Sequence, residues 1–376
     1  MIFGRSRKIT IKIAQPYHSD EIEASVLAVL RSGRLVSGPM VESFEKGLSK
    51  YLGVKNTVAV NSGTAALHIS LLASRVKPGA EVITTPFSFA ATANTIIQTG
   101  AKQIFVDVDP RTFNIDAEQV DRAVTDRTCA IEPVHVFGEP ADLDRIYEIA
   151  EAHDLRVVED AAEAIGAEYH GKKIGKTSDS ACFSTYATKN LHTGEGGFVT
   201  TDSDEMADTL RVLRSQGQRR KYYHVRMGYN YRMTEISGAI GKAQIEKLND
   251  FNQRRIENAL RLSRMISDLP ALVPQAVIEN VKHIYYQYTV TLNQETTTVS
   301  RNELQEKLAR AGIETDVHWP LPIHLQPWYR ETFGYKEGMF PHAEKLAKTV
   351  LSLPIHPAVT DEQIEFISEE LHKILR

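Results

Sequence analysis

Between about residues 55 and 215 short apolar runs alternate with stretches of helical period. TVAV (57–60) precedes TAALHISLLAS, and EVITT (81–85) precedes FAATANTIIQTG. CAIEPVHV (129–136) precedes ADLDRIYEIAEAHD, whose Leu143, Ile146, Tyr147 and Ala150 share one helical face. LRVVED (155–160) leads into AAEAIGA in the same way, and QIFVDV (103–108) into an acidic turn. Strand, helix and strand repeated like this specify an α/β domain with a largely parallel sheet. FSTYATKNLHTGEGGFVTTD (183–202) closes the block as strand, glycine-rich turn and strand, with Lys189 where the first strand gives way to the turn.

Beyond it, SQGQRRKYYHVRMGYNY (215–231) lacks periodicity and reads as a long functional loop. A long helical region follows over about 232–268. The rest reads as a smaller α+β unit. YYQYTVTL (285–292) alternates as a strand, and SRNELQEKLARAG opens on a capping box, Ser300 with Glu303, and ends in glycine. TDEQIEFISEELHKILR repeats the device with Thr360 and Gln363. The expected division is a large domain over 1–250 and a small C-terminal domain over 251–376, closely packed.

A chain of 376 residues that is 42% hydrophobic can bury more than one core. Its net charge of −4 supplies no global pull toward nucleic acid or an anionic membrane. Cys129 and Cys182 lie in apolar runs and read as small core residues of a reducing compartment, not a disulfide framework. The opening MIFGRSRKITIKIAQ is basic but is followed by no continuous apolar segment, so it does not read as a secretory signal. No stretch approaches the roughly 20 apolar residues of a membrane helix. The expected location is cytoplasmic.

Three features carry chemistry. VNSGTAALH (60–68) follows a strand and opens a helix, so the first-turn amides around Gly63 and Thr64, with the hydroxyls of Ser62 and Thr64, suit a phosphate; ordinary Ser/Thr capping explains the same residues. Asp160 ends an apolar strand, where open α/β sheets bind ligands; buried, it requires a cationic partner such as a protonated ring nitrogen, while a helix N-cap is the plain alternative. Lys189 beside Phe183 and Tyr186 suits a nucleophile whose pKa is lowered by desolvation, against the commoner exposed lysine of a turn. No G-x-G-x-x-G follows a strand, and Gly175-Lys176-Thr177 has His170 where a P-loop needs glycine. A phosphate cradle, the aromatic stretch PFSFAATAN, an acid at a strand end and a lysine before a glycine-rich turn are together the parts that pyridoxal phosphate needs.

Read together, SGPMVESFE (37–45), NSGTAALH (61–68), PFSFAATANTI (86–96), FVDVDPRTFNID (105–116), PVHVFGEPADLDRI (133–146), VVEDAAEAIGA (157–167), FSTYATKNLHTGEGG (183–197) and GYNYRMTEISGAIGKAQIEKL (228–248) resemble the pyridoxal-phosphate-dependent sugar aminotransferases of the DegT/DnrJ/StrS family, over nearly the whole chain. The resemblance implies an aspartate-aminotransferase-like (fold type I) large domain with a mainly parallel central sheet and a smaller C-terminal α+β domain. It makes Lys189 the Schiff-base lysine, pairs Asp160 with the pyridine nitrogen and stacks Phe89 on the ring. Gly63, Thr64 and Ser184 are expected at the phosphate, Glu163 near the ring hydroxyl, and Asn230 at the phosphate of a partner subunit, hence a homodimer. His324 and His318 are expected near the substrate, with Tyr186, and neither histidine has further ligands at metal spacing. In QRRKYYHVR, Arg220 and its basic neighbours are expected on the diphosphate of a nucleotide-sugar. The implied reaction is ping-pong transamination from L-glutamate to a nucleotide-linked keto-sugar. TGEGG after the lysine leans toward relatives acting on 4-keto-6-deoxy sugars, such as perosamine synthase. A 3-keto sugar or keto-inositol aminotransferase and a non-catalytic regulatory relative are the alternatives. The dehydratase branch carries histidine at the lysine position, which Lys189 opposes.

Overall fold

The computed structural model describes residues 11–176 and 179–376. Most of the basic opening stretch and Thr177 lie outside the described residues. Helices α1 (Asp20–Ser32) and α2 (Pro39–Leu52) precede strands β1 (Asn56–Val60), β2 (Glu81–Thr84), β3 (Lys102–Phe105), β4 (Thr128–Ile131) and β5 (Arg156–Asp160). A short ribbon, β6 (Glu168–Tyr169) and β7 (Lys172–Lys173), leads to β8 (Ser180–Ser184) and β9 (Gly197–Thr201). The central sheet has the order β1-β9-β8-β5-β4-β2-β3. All its strands run one way except β9, which is antiparallel to both neighbours.

Helices α3 (Gly63–Ala73), α4 (Ala90–Gln98), α5 (Ala117–Ala123), α6 (Leu143–Ala152) and α7 (Asp204–Arg214) cover the sheet. The strands read as continuously apolar because both faces are buried. Val58, Val82, Ala130, Val158 and Cys182 meet Ala66 and Ile69 of α3. Their strand neighbours turn the other way: Ala59, Phe183 and Phe198 pack on Phe44 and Leu48 of α2, and Ile83, Ile131 and Val157 on Ile146 of α6. The same alternation separates two adjacent acids at the end of β5. Glu159 faces α6, where Tyr147 donates to it at 2.5 Å, and Asp160 faces α4.

After α7 come a hairpin, β10 (Gln218–Arg220) with β11 (Tyr223–His224), and helices α8 (Glu235–Lys242) and α9 (Leu248–Met265). A second sheet joins β12 (Leu272–Pro274), β14 (Tyr288–Leu292) and β15 (Val350–Leu353), while β13 (Val281–Lys282) pairs back onto β6. Helices α10 (Arg301–Ala311), α11 (Pro327–Phe333), α12 (Pro341–Thr349) and α13 (Asp361–Leu375) complete the chain. The second core takes Leu262, Val290, Leu304 and Ile367, and also Ile11, which bridges to Ile313. The segment 281–287 returns to the main sheet's core through Ile284 and Tyr286. Among the described residues no helix is long and apolar enough to cross a membrane.

Both capping boxes are present, at Ser300/Glu303 and Thr360/Gln363. Four local expectations fail. AAEAIGA forms turns instead of a helix: Gly166 sits at φ +87, and a Cβ there would lie 2.6 Å from Asn252 Nδ2 and 2.5 Å from the Tyr51 hydroxyl. The loop 215–231 contains a hairpin, entered through Gln216 at φ 61 and Gly217 at φ 72. The helical region 232–268 is broken into α8 and α9 by a tight turn over 245–247. Tyr285 at φ 47 delays the expected strand until Tyr288.

Glu235 holds α8 against α2. Its buried carboxylate accepts the backbone N–H groups of Gly38 (2.7 Å), Met40 (2.9 Å) and Val41 (3.0 Å), at the N-terminus of α2 where no intrahelical acceptor exists. Glu235→Ala strands these donors and is expected to cost about 3 kcal/mol, read as a lower urea midpoint at unchanged slope. A change below about 0.5 kcal/mol would show that water replaces the carboxylate there.

Candidate active site

The strand ends of β5 and β8, the start of α3 and the turn after β8 converge. Ser62 caps α3, accepting from Ala65 N at 3.0 Å. The first-turn amides, those of Gly63 and Thr64 included, face no intrahelical carbonyl. Gly63 touches Ser184: a Cβ there would lie 3.0 Å from Ser184 Cβ. Gly197 is needed for the same approach, since its Cβ would fall 2.7 Å from Gly63 N and from the Ser62 carbonyl carbon. The sequence thus brings Gly63, Thr64 and Ser184 to one helix N-terminus, a geometry that suits an anion.

Asp160 is buried beside it. Its Oδ2 accepts from the Thr92 hydroxyl at 2.8 Å and its Oδ1 from Ala162 N at 3.2 Å. Burial pushes this carboxyl above its usual range, although Thr92 and the Ala162 amide oppose the shift. Among the described residues no cationic group forms an ion pair with it. A buried carboxylate so placed is stabilised by a cation delivered from outside.

Lys189 stands in the turn after β8. Its Nζ donates to Glu163 Oε1 at 3.2 Å and lies 4.1 Å above the Tyr286 ring. The other Glu163 oxygen accepts from Phe137 N at 2.9 Å, so both oxygens of Glu163 act as acceptors. The expected lowering of the lysine pKa is not what this environment produces. Burial favours the neutral amine, but Tyr286 and Glu163 outweigh it and hold Lys189 above its usual value. The turn itself is pinned: Asn190 Nδ2 donates to Asn252 Oδ1 at 2.7 Å, and Gln244 Nε2 to His192 O at 2.7 Å.

Other expected residues are placed differently. Phe89 precedes α4 and is 64% exposed; Tyr186, whose carbonyl accepts from Lys189 N at 2.9 Å, is 47% exposed. Asn230 is exposed, its carbonyl accepting from Asn61 Nδ2 at 3.3 Å. Arg220 lies out on the β10–β11 hairpin, 4.7 Å from the Tyr223 ring. His318 Nε2 lies 3.4 Å from Asp316, and its ring packs near Phe137. His324 is wholly buried, bonded to Glu344 at 3.1 Å and packed on Phe340. Burial holds its pKa down, and no surface of it is open to a substrate within this chain, contrary to the sequence expectation.

Thr92 and Tyr286 were not singled out from the sequence. Thr92 lies in PFSFAATAN, three positions after Phe89, a helical spacing that marks it as a neighbour of whatever that segment covers. Tyr286 reads only as one of the aromatics in YYQYTVTL.

Residues 16–372 match the DegT/DnrJ/EryC1/StrS aminotransferase family. The GDP-perosamine synthase of Caulobacter vibrioides is 38% identical over 341 residues, 90% of this chain and 91% of that protein. The UDP-2-acetamido-2-deoxy-3-oxo-D-glucuronate aminotransferase of Pseudomonas aeruginosa is 36% identical over 364 residues, covering 96% and 98%. The crystal structure of DesV from S. venezuelae superposes with a TM-score of 0.91 at 36% identity, covering 95% of this chain and 94% of that one. The chain belongs to the DegT/DnrJ/EryC1/StrS aminotransferase family. It is a sugar aminotransferase whose cofactor is pyridoxal phosphate. The buried carboxyl of Asp160, the open start of α3 and the partly buried amine of Lys189 fit that group.

Proposed function

We propose that the protein moves an amino group from L-glutamate to a nucleotide-linked keto-deoxysugar, with a 4-keto-6-deoxyhexose as the favoured acceptor. The observation that carries the reading is the cluster of partly buried Lys189 with buried Glu163 and Asp160 at one strand-end edge, next to the α3 N-terminus. Bound there, pyridoxal phosphate supplies an electron-withdrawing ring that stabilises negative charge at the substrate carbon. Gly63, Thr64 and Ser184 hold its phosphate, and Asp160 keeps a proton on the ring nitrogen. Thr92 aims the Asp160 carboxyl and Phe89 covers the ring. Glu163 orients the ring hydroxyl. Lys189, once free, carries the proton between the substrate carbon and the cofactor.

The favoured acceptor rests on TGEGG, with Glu195 exposed beside the lysine turn, and on the likeness to a GDP-perosamine synthase. The likeness to an aminotransferase of a 3-oxo sugar supports the second reading, amination at the neighbouring carbon. Exposed Val36, Phe89 and Tyr186, with Asn230 and the basic hairpin of Arg220, support a homodimer with shared sites, where His318 and Arg220 meet the nucleotide-sugar. The location that goes with these substrates is the cytoplasm, in amino-sugar and polysaccharide biosynthesis.

The test uses the cofactor-loaded protein. Glutamate should bleach its visible band, and one member of a panel of dTDP-, UDP- and GDP-linked 3-keto and 4-keto sugars should restore it, with the amino product identified by mass spectrometry and NMR. A band indifferent to every amino donor sinks the proposal; restoration by a 3-keto sugar alone moves it to the second reading. In the same assay Asp160→Asn should slow bleaching by about 100-fold or more, because a neutral amide no longer holds the ring proton.

A further inference from the structure

The amine of Lys189 has two walls. One is the Glu163 carboxylate, at 3.2 Å. The other is the face of Tyr286, with Nζ 4.1 Å above the ring centroid. Tyr286 is 6% exposed and comes from the segment that leaves the second core and returns to the main sheet.

Its position is built rather than incidental. The Tyr286 hydroxyl meets Thr188 Oγ1, on the residue before the lysine, at 3.0 Å. Its carbonyl accepts from Arg255 Nη1 at 3.1 Å. Arg255 is buried, its Nε has no partner, and among the described residues no carboxylate pairs with it, so a costly buried cation is held on the tyrosine's backbone. Both walls are also tied to one turn. Phe137 N holds Glu163, Phe137 O accepts from Gln287 N at 3.3 Å, and Gly138 O accepts from Ile284 N at 3.3 Å. Gly138, at φ +99, permits the approach: a Cβ there would lie 3.0 Å from Tyr286 N.

We propose that Tyr286 is a positioning residue that seats the Lys189 amine in its charged form, the ring face and Glu163 together holding the ammonium. This rests on the role given to Lys189 above. An aromatic face attracts an ammonium and gains little from a neutral amine. The ring therefore opposes burial, which favours the neutral form. During turnover the lysine amine is released and must be found again; a seat that prefers the cation keeps the proton on Nζ until it is passed on to the reacting carbon, since a ring face accepts none. The charged and titratable groups around Nζ are Glu163, Tyr286 and Asp160, with Arg255 behind Tyr286.

The test measures the Lys189 amine itself. Full-length protein freed of cofactor is labelled with acetic anhydride over a pH series, and the labelling of the Lys189 peptide is followed by mass spectrometry. Tyr286→Leu should lower the apparent pKa of Lys189 by about one unit, whereas Tyr286→Phe, which keeps the ring face and loses only the hydroxyl, should lower it by clearly less. Thermal melts verify that both variants are folded, and if Tyr286→Leu is not, Tyr286→Met replaces it with the same expectation. Equal titration of Lys189 in wild type and the ring-less variant overturns the seat, even where glutamate still bleaches the wild-type band. A wild-type band that glutamate does not bleach removes the role of Lys189 instead.

Discussion

Lys189→Ala is expected to slow bleaching of the loaded enzyme by glutamate by about 10,000-fold, because it removes both the covalent anchor and the group that moves the proton. Lys189→Arg should be nearly as slow. It keeps a cation beside Glu163, but a guanidinium does not give up its proton at any working pH. Stopped-flow absorbance measures both, and circular dichroism shows whether the fold is kept. Removing Nζ leaves Glu163 with the Phe137 amide as its remaining partner, so some loss of stability accompanies Lys189→Ala. The pair of variants separates that loss from chemistry, since arginine retains a charge for Glu163. A rate within about tenfold of wild type in Lys189→Ala would place the nucleophile elsewhere.

The second large effect lies outside the site. Glu139 is fully buried; one oxygen accepts from Ile278 N at 2.9 Å and the other has no partner among the described residues. Burial pushes its carboxyl from 4.5 up to about 8. Between those values the folded chain keeps a proton that the unfolded chain has lost. Stability therefore falls as pH rises through this window, by about 1.4 kcal/mol per unit. Glu139→Gln keeps an acceptor for Ile278 and removes the titration. Its stability relative to wild type should grow by about 4 kcal/mol between pH 5 and pH 8 in urea unfolding. Glu132, also buried and also raised, is present in both proteins and cancels in the difference. A difference that is constant with pH would mean that Glu139 is ionised in the fold, with water reaching it.

Much of the site was legible because its parts are local. A small-residue turn between strand and helix, NSGT, needs only its own neighbours to be read as an anion site, and Ser62 does cap α3. Asp160 was legible because an acid ending an apolar strand has few reasons to be there. AAEAIGA was misread for the opposite reason. Its alanines favour a helix, but Gly166 must pass beneath Tyr51 and Asn252, and that contact is absent from the local sequence. His324 was placed by resemblance near a substrate, and Phe340 and Glu344 enclose it.

The sequence by itself determined the doubly covered, mainly parallel sheet, because side-chain periodicity is a property of consecutive residues. It also determined the order of the phosphate turn, the acid and the lysine along the chain, and with them the family. Only the tertiary structure decided the electrostatic state of the lysine. Tyr286 reaches the lysine turn from 98 residues beyond Thr188, and Glu163 reaches it through a turn that looked helical. A pKa is set by whatever surrounds the group in space, and burial can be weighed against the two neighbouring groups that oppose it only once the fold has brought them together.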